Sequence, residues 1–161
     1  MFKVVQGDFD DSYRPKVQSS WLKVKMTSVD RFEDLEVWKR ARTIVNMIYD
    51  FIEGEAFKRD FALCDLIRRA VISILSNISE GFESRTQVMF IEYLGRAKAL
   101  AGEVRAQLYL VIDRKYVTND QFNKASEEVI TCSKQLARFM QYLETHPNSR
   151  RVQDDGVSYD V

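Results

Sequence analysis

Apolar positions along this chain repeat at alternating spacings of three and four over most of its length, and that rhythm predicts four helices. The first spans about 34–53, with Trp38, Ala41, Val45, Ile48 and Ile52 in register, Asp34 as N-cap and Gly54 as stop. The second spans about 60–80, with Cys64, Ile67, Val71, Ile74 and Ile78. Gly81 follows as a left-handed C-terminal residue, with Phe82 as its hydrophobic contact. The third spans about 87–115 on Phe90, Leu94, Ala97, Ala101, Val104, Leu108 and Val111. The fourth spans about 119–145 on Phe122, Ala125, Val129, Cys132, Leu136, Phe139 and Leu143, opened by a capping box of Thr118 and Gln121. A mean spacing of 3.5 residues and short connections predict an all-α, antiparallel up-down-up-down four-helix bundle over residues 32–146.

The two ends break the pattern. Residues 1–31 carry Asp8, Asp10, Asp11 and Pro15 between short apolar pieces, and Trp21–Met26 alternates like a brief strand. This stretch is expected to form an irregular arm or short hairpin. Met26 also offers a second start, which would leave residues 1–25 as an upstream over-read; a docking arm is the alternative. Residues 147–161, rich in polar and turn-forming types, are expected to be a disordered tail.

Apolar residues outnumber what one seam per helix needs. Val37, Ile44 and Phe51 form a second row on the first helix, and Phe61, Ile72, Leu75 and Phe82 lie off the main stripe of the second. Ile91, Tyr93 and Tyr109 do so on the third. Since no helix of a four-helix bundle is central, the surplus predicts a homo-oligomer; a wide core seam with scattered exposed apolar residues is the alternative.

Beside the apolar stripe of the second helix runs a polar one. Arg69, Ser73, Ser76, Asn77 and Glu80 fall within about 100° of arc. Together with Arg68 they are candidates for assembly or ligand contact: two small residues permit close approach, and the Arg, Asn and Glu supply donors and acceptors. The alternatives are a hydrogen-bonded network at a helix or subunit interface and a solvated face.

Charge argues against a bulk nucleic-acid module. Lys+Arg and Asp+Glu both total 24, and residues 32–146 hold 16 basic and 17 acidic side chains. A local basic set on the third helix, Arg96, Lys98 and Arg105, remains a candidate contact for RNA or DNA. Catalytic chemistry is missing. A di-iron site needs Glu-x-x-His on two helices, whereas the one histidine is His146. Cys64 and Cys132 sit on apolar stripes as small core residues, which with His146 make no standard zinc set. No Gly-rich phosphate loop occurs. No catalytic residue, metal or cofactor is therefore expected, and no apolar run is long enough to span a bilayer. With no signal peptide in view, a cytoplasmic, non-membrane protein is expected.

Three ordered segments carry a family resemblance: Phe32-Glu33-Asp34-Leu35-Glu36-Val37-Trp38-Lys39-Arg40-Ala41, then Ile67–Ala70 through Ser76–Phe82, then Ala101–Leu108. Over about 32–144 the chain resembles the small bacterial four-helix-bundle proteins encoded within intervening sequences of 23S ribosomal RNA genes. The resemblance implies an antiparallel bundle and a ring-like homo-oligomer, a pentamer, with no established catalytic residues. The chain is also distantly similar to accessory bundle proteins of diversity-generating retroelements, which partner a reverse transcriptase and bind nucleic acid through a basic surface. That similarity implies, as the alternative function, an accessory scaffold subunit for such an enzyme; the neutral bundle departs from it. Two further departures are Leu75, where the family often has Pro, and Met89, where it often has Glu after Thr86. The first predicts a straighter second helix and the second a lost capping box.

Overall fold

The computed structural model describes residues 29–146, so most of the expected N-terminal arm and the whole expected tail lie outside the described residues. A single-turn 3-10 helix at Phe32–Asp34 leads into α1, Glu36–Ile52. A second such turn, Phe57–Arg59, leads into α2, Phe61–Glu83. α3 covers Gln87–Asp113 and α4 Asn119–Thr145. Among the described residues there is no strand, and none of their helices is long and apolar enough to cross a membrane. α2 packs on α1 and α3, and α4 packs on α3 and α1, which closes an all-α four-helix bundle.

Cross-contacts join the end of each helix to the start of its neighbour, so successive helices run antiparallel. Trp38 of α1 meets Ser79 of α2, while Arg68, near the start of α2, lies over Tyr49, near the end of α1. Tyr116, just past α3, stacks on Phe57 ahead of α2 at 4.8 Å. Tyr109 and Phe122 pair across α3 and α4 at 5.3 Å. The interior is filled by branched and small side chains: Ile44, Ile48 and Ile52 of α1, Ile67, Val71, Ile74 and Ile78 of α2, Leu94, Val104 and Leu108 of α3, and Val129 and Leu136 of α4. Each large one contributes about 1.5–3 kcal/mol by leaving water.

The rhythm of the sequence finds these helices; the structure corrects several details. Val37, Ile44 and Phe51 are buried in the single-chain core, not surplus. Trp38 and Val45 instead sit half-buried at its edge, because the core face of α1 is centred nearer Ile44 and Ile48. Leu75, Phe82 and Ile91 also pack against the core, whereas Phe61, Ile72 and Tyr109 remain exposed. Asp34 does not cap α1. It lies in the preceding 3-10 turn, its N–H donating to Arg31 O at 3.1 Å, and Leu35 takes the N-cap position with no side-chain cap.

Gly81 does not terminate α2 either; it is a buried residue inside the helix. A Cβ there would stand 2.8 Å from both Tyr93 Cβ and Phe90 Cδ2 of α3. Its role is therefore close helix approach, and α2 continues to Glu83. The left-handed turn occurs instead at Lys115, φ 57°, after α3. Lys115 N–H donates to Ile112 O at 2.9 Å and Tyr116 N–H to Val111 O at 3.0 Å, the paired bonds of a Schellman motif.

The other caps fit the sequence. Thr118 and Gln121 form the reciprocal box, and Thr86 accepts from Met89 N–H at 3.2 Å while Met89 has nothing to return. With Leu75 in place of proline, α2 is uninterrupted. Asp60 caps it, one carboxylate oxygen accepting Leu63 N–H and the other Tyr116 O–H, both at 3.1 Å.

Candidate assembly and docking surfaces

Helical register divides the exposed surface of α2 into two seams. Ser73 and Asn77 precede Gly81 by eight and four residues, so they share its α3 side. Leu66, Ser73 and Glu80, spaced by seven, line the outer edge of that side, with Arg69 next to them. On α3, Tyr93 faces Gly81, and Arg96 lies one turn on with its guanidinium 5.1 Å from the Tyr93 ring. Met89, Arg96, Glu103 and Leu110 continue that row at spacings of seven. Arg96 thus faces the same outer α2–α3 seam as the polar stripe of α2.

Within that seam the polar groups are largely engaged inside their own helix. Asn77 Nδ2 donates to Ser73 O at 2.7 Å, and Arg69 pairs with Asp65. Gln107 is buried, its Nε2 donating to Glu103 Oε1 at 2.9 Å. Ser73, Ser76 and Asn77 are half-buried and Glu80 is exposed. Large apolar side chains stand in water beside them: Leu66 is 52% exposed and Leu110 53%.

The three basic candidates do not form one patch. Lys98 and Arg105, seven apart and exposed, share the α4 side of α3, whereas Arg96 is turned about 160° away from Lys98. Arg68 also parts company with Arg69. It lies on the α1 side of α2, with its Cζ 5.7 Å from the Tyr49 ring centroid, and its buried Nε has no hydrogen-bond partner. Phe61, Arg68, Ile72 and Ser79 share this face, the outer α1–α2 seam.

Sequence reasoning missed two ties. Trp38 Nε1 donates to Ser79 Oγ at 2.9 Å, and Ser79 Oγ donates to Leu75 O at 3.1 Å. The signal was available: a half-buried indole N–H needs an acceptor, and Ser79 lies on the facing helix. Arg40 reaches from α1 to α4, pairing with Glu128 at 2.5 Å and donating to Gln135 Oε1 at 3.0 Å. Nothing in local spacing points to that, since the partners are about ninety residues away.

Two open grooves lie along α1. The larger, about 490 Å³, is lined by Glu33, Trp38, Lys39, Arg42, Thr43 and Asn46. The smaller, about 280 Å³, adds Arg40 and Glu128. Neither is lined by a candidate residue named from the sequence. Among the described residues no group of three or more His, Cys, Asp or Glu could hold a metal ion. Cys64 and Cys132 are buried, and burial raises both thiols, Cys132 to about 12, which disfavours the nucleophilic thiolate. His146 ends α4, stacked on Tyr142 at 4.2 Å with Nδ1 3.0 Å from Tyr142 O.

The family model of the 23S rRNA-intervening sequence proteins matches residues 33–138. The chain belongs to this family. A solved protein of unknown function from the S23 ribosomal protein family of Bacteroides thetaiotaomicron is similar in fold, with a TM-score of 0.60 at 25% identity. The similarity covers 65% of this chain and 98% of that one. No functionally curated protein matches. All the candidate residues named above, from Arg68 to Arg105, lie inside the stretch matched to the 23S rRNA-intervening sequence proteins.

Proposed function

We propose that this protein is a non-enzymatic, self-assembling helical scaffold. It forms a homo-oligomer, a pentamer as the family resemblance implies, through the outer α2–α3 seam. The observation that carries this reading is the exposure of Leu66, Met89 and Leu110 along one seam, beside small and polar side chains of α2. Burying two such side chains in a dry contact is favourable by about 1.5–3 kcal/mol each, and the half-buried Ser73 and Asn77 further along the seam allow close approach. Raised thiol pKa values and shallow grooves favour a surface function over a reaction site.

Sedimentation velocity at 260 and 280 nm, on protein at moderate salt, tests it. The expected result is one species of about five times 18.8 kDa with a protein-like absorbance ratio. Leu66→Glu with Leu110→Glu shifts it toward monomer, and Asn77→Ala weakens it. A clean monomer of the unsubstituted chain refutes assembly. Excess absorbance at 260 nm that disappears at high salt, and with Lys98→Glu and Arg105→Glu, would instead make nucleic acid the partner.

A further inference from the structure

The outer α1–α2 seam is a second, independent surface. It is the most apolar exposed stretch of α2, with Phe61 80% exposed and Ile72 and Tyr49 also open to solvent. Two arginines stand in it. Arg42 lies over the Trp38 ring at 6.0 Å and Arg68 over Tyr49 at 5.7 Å. The nearby Glu33 and Asp65 are already paired, with Arg31 and Arg69. Arg68 Nε is buried with no acceptor, although a desolvated guanidinium N–H calls for one. Aromatic side chains around a partly buried arginine are the composition of an energetically dominant contact site. A partner for this seam supplies a carboxylate to Arg68 and an apolar group to Tyr49 and Ile72.

We propose that the occupant is the chain's own segment Asp8–Asp11, with Phe9 seated beside Tyr49 and Ile72 and the aspartates paired with Arg68 and Arg42. Three facts select it. First, the segment has the complementary chemistry: an aromatic ring flanked by Asp8, Asp10 and Asp11. The stretch nearer the bundle carries Lys23 and Lys25, whose sign matches the seam. Second, the described chain begins at the head of this seam: Val29 and Phe32 pack against the core, and the Phe32 ring is 5.3 Å from Trp38. Third, the length suffices. Tyr49 lies eleven helical residues beyond Trp38, about 16 Å. The seventeen residues between Asp11 and Val29 span up to about 60 Å. The proposal does not depend on assembly through the α2–α3 seam, which shares none of these side chains.

The test places a photoreactive benzoylphenylalanine at position 9 of the full chain and maps the adducts by mass spectrometry. The expected result is intrachain adducts, at monomer mass under denaturing conditions, on peptides carrying Tyr49 or Ile72. Asp8→Asn, Asp10→Asn and Asp11→Asn together lower their yield about tenfold, the loss of charge-assisted bonds to an arginine. These substitutions lie outside the bundle, so folding is not at issue. Asp10→Arg lowers the yield as well, and Arg68→Asp in the same chain restores it. Adducts elsewhere, or adducts indifferent to the aspartates, overturn the proposal. Adducts at twice the monomer mass on the same peptides overturn it too, because they make a second copy the occupant.

Discussion

Lys115 holds a backbone conformation that costs an L-residue with a Cβ roughly 1–2 kcal/mol. Lys115→Gly removes that strain and keeps both bonds of the Schellman turn, so it is expected to stabilise the protein by about 1 kcal/mol in urea unfolding. A destabilised variant would mean that the lysine side chain makes a compensating contact. Gly81 presents the opposite case. Gly81→Ala gains helix propensity, yet its methyl carbon would stand 2.8 Å from Tyr93 Cβ, an atom fixed to the α3 backbone. The expected net loss is about 1–3 kcal/mol by the same measurement, the usual cost of overpacking. Gly81 was legible in the sequence as a special position, but for the wrong reason. Local pattern cannot tell a glycine that ends a helix from one that lets another helix approach, because the second depends on a contact across the α2–α3 turn.

At the scale of elements, helix existence and type were legible because a 3.6-residue period repeats strongly over long stretches. The axis of each core face was less so. In α1 the row of Val37, Ile44 and Phe51 lies next to the row of Trp38, Val45 and Ile52, and only the position of α4 decides how far the core reaches toward each. The polar stripe of α2 was legible as a set, but its neighbours were not: Arg68 turns to α1 while Arg96 joins the stripe from α3. Caps follow the same division. Thr118 acts within its own helix, whereas Asp60 caps α2 and also holds Tyr116 from the end of α3. Thr118→Ala is therefore expected to cost about 1 kcal/mol, the value of one cap. Asp60→Ala should cost more, because Tyr116 O–H loses its acceptor as well. In a double-mutant cycle with Tyr116→Phe, a coupling near zero would show that the Asp60–Tyr116 bond adds nothing.

At the scale of the whole molecule, Cys132 reports on opening of the bundle. It is buried on the core face of α4, and burial holds its thiol at about 12, against a usual 9.0; Arg40 pulls the value down and Glu128 pushes it up by lesser amounts. Above pH 9 the unfolded chain releases this proton while the folded chain keeps it, so the folded state binds more protons and stability falls as pH rises. Below pH 9 the term is constant. Between pH 9 and about 12 the loss approaches 1.4 kcal/mol per pH unit from this group, about the free energy of one unit of pKa difference. Cys64, raised by burial as well, acts in the same direction. Stability from urea unfolding at pH 7, 9 and 10 should stay level over the first interval and drop over the second, and Cys132→Ala should flatten that drop. The same thiol reads assembly. At fixed pH, Cys132 reacts with an aromatic disulfide reagent only through opened molecules, whose population falls when folded subunits associate. If the α2–α3 seam is an interface, the labelling rate per subunit decreases with protein concentration, and Leu66→Glu with Leu110→Glu abolishes that dependence. A rate independent of concentration in the unsubstituted chain would place Leu66 and Leu110 in solvent permanently.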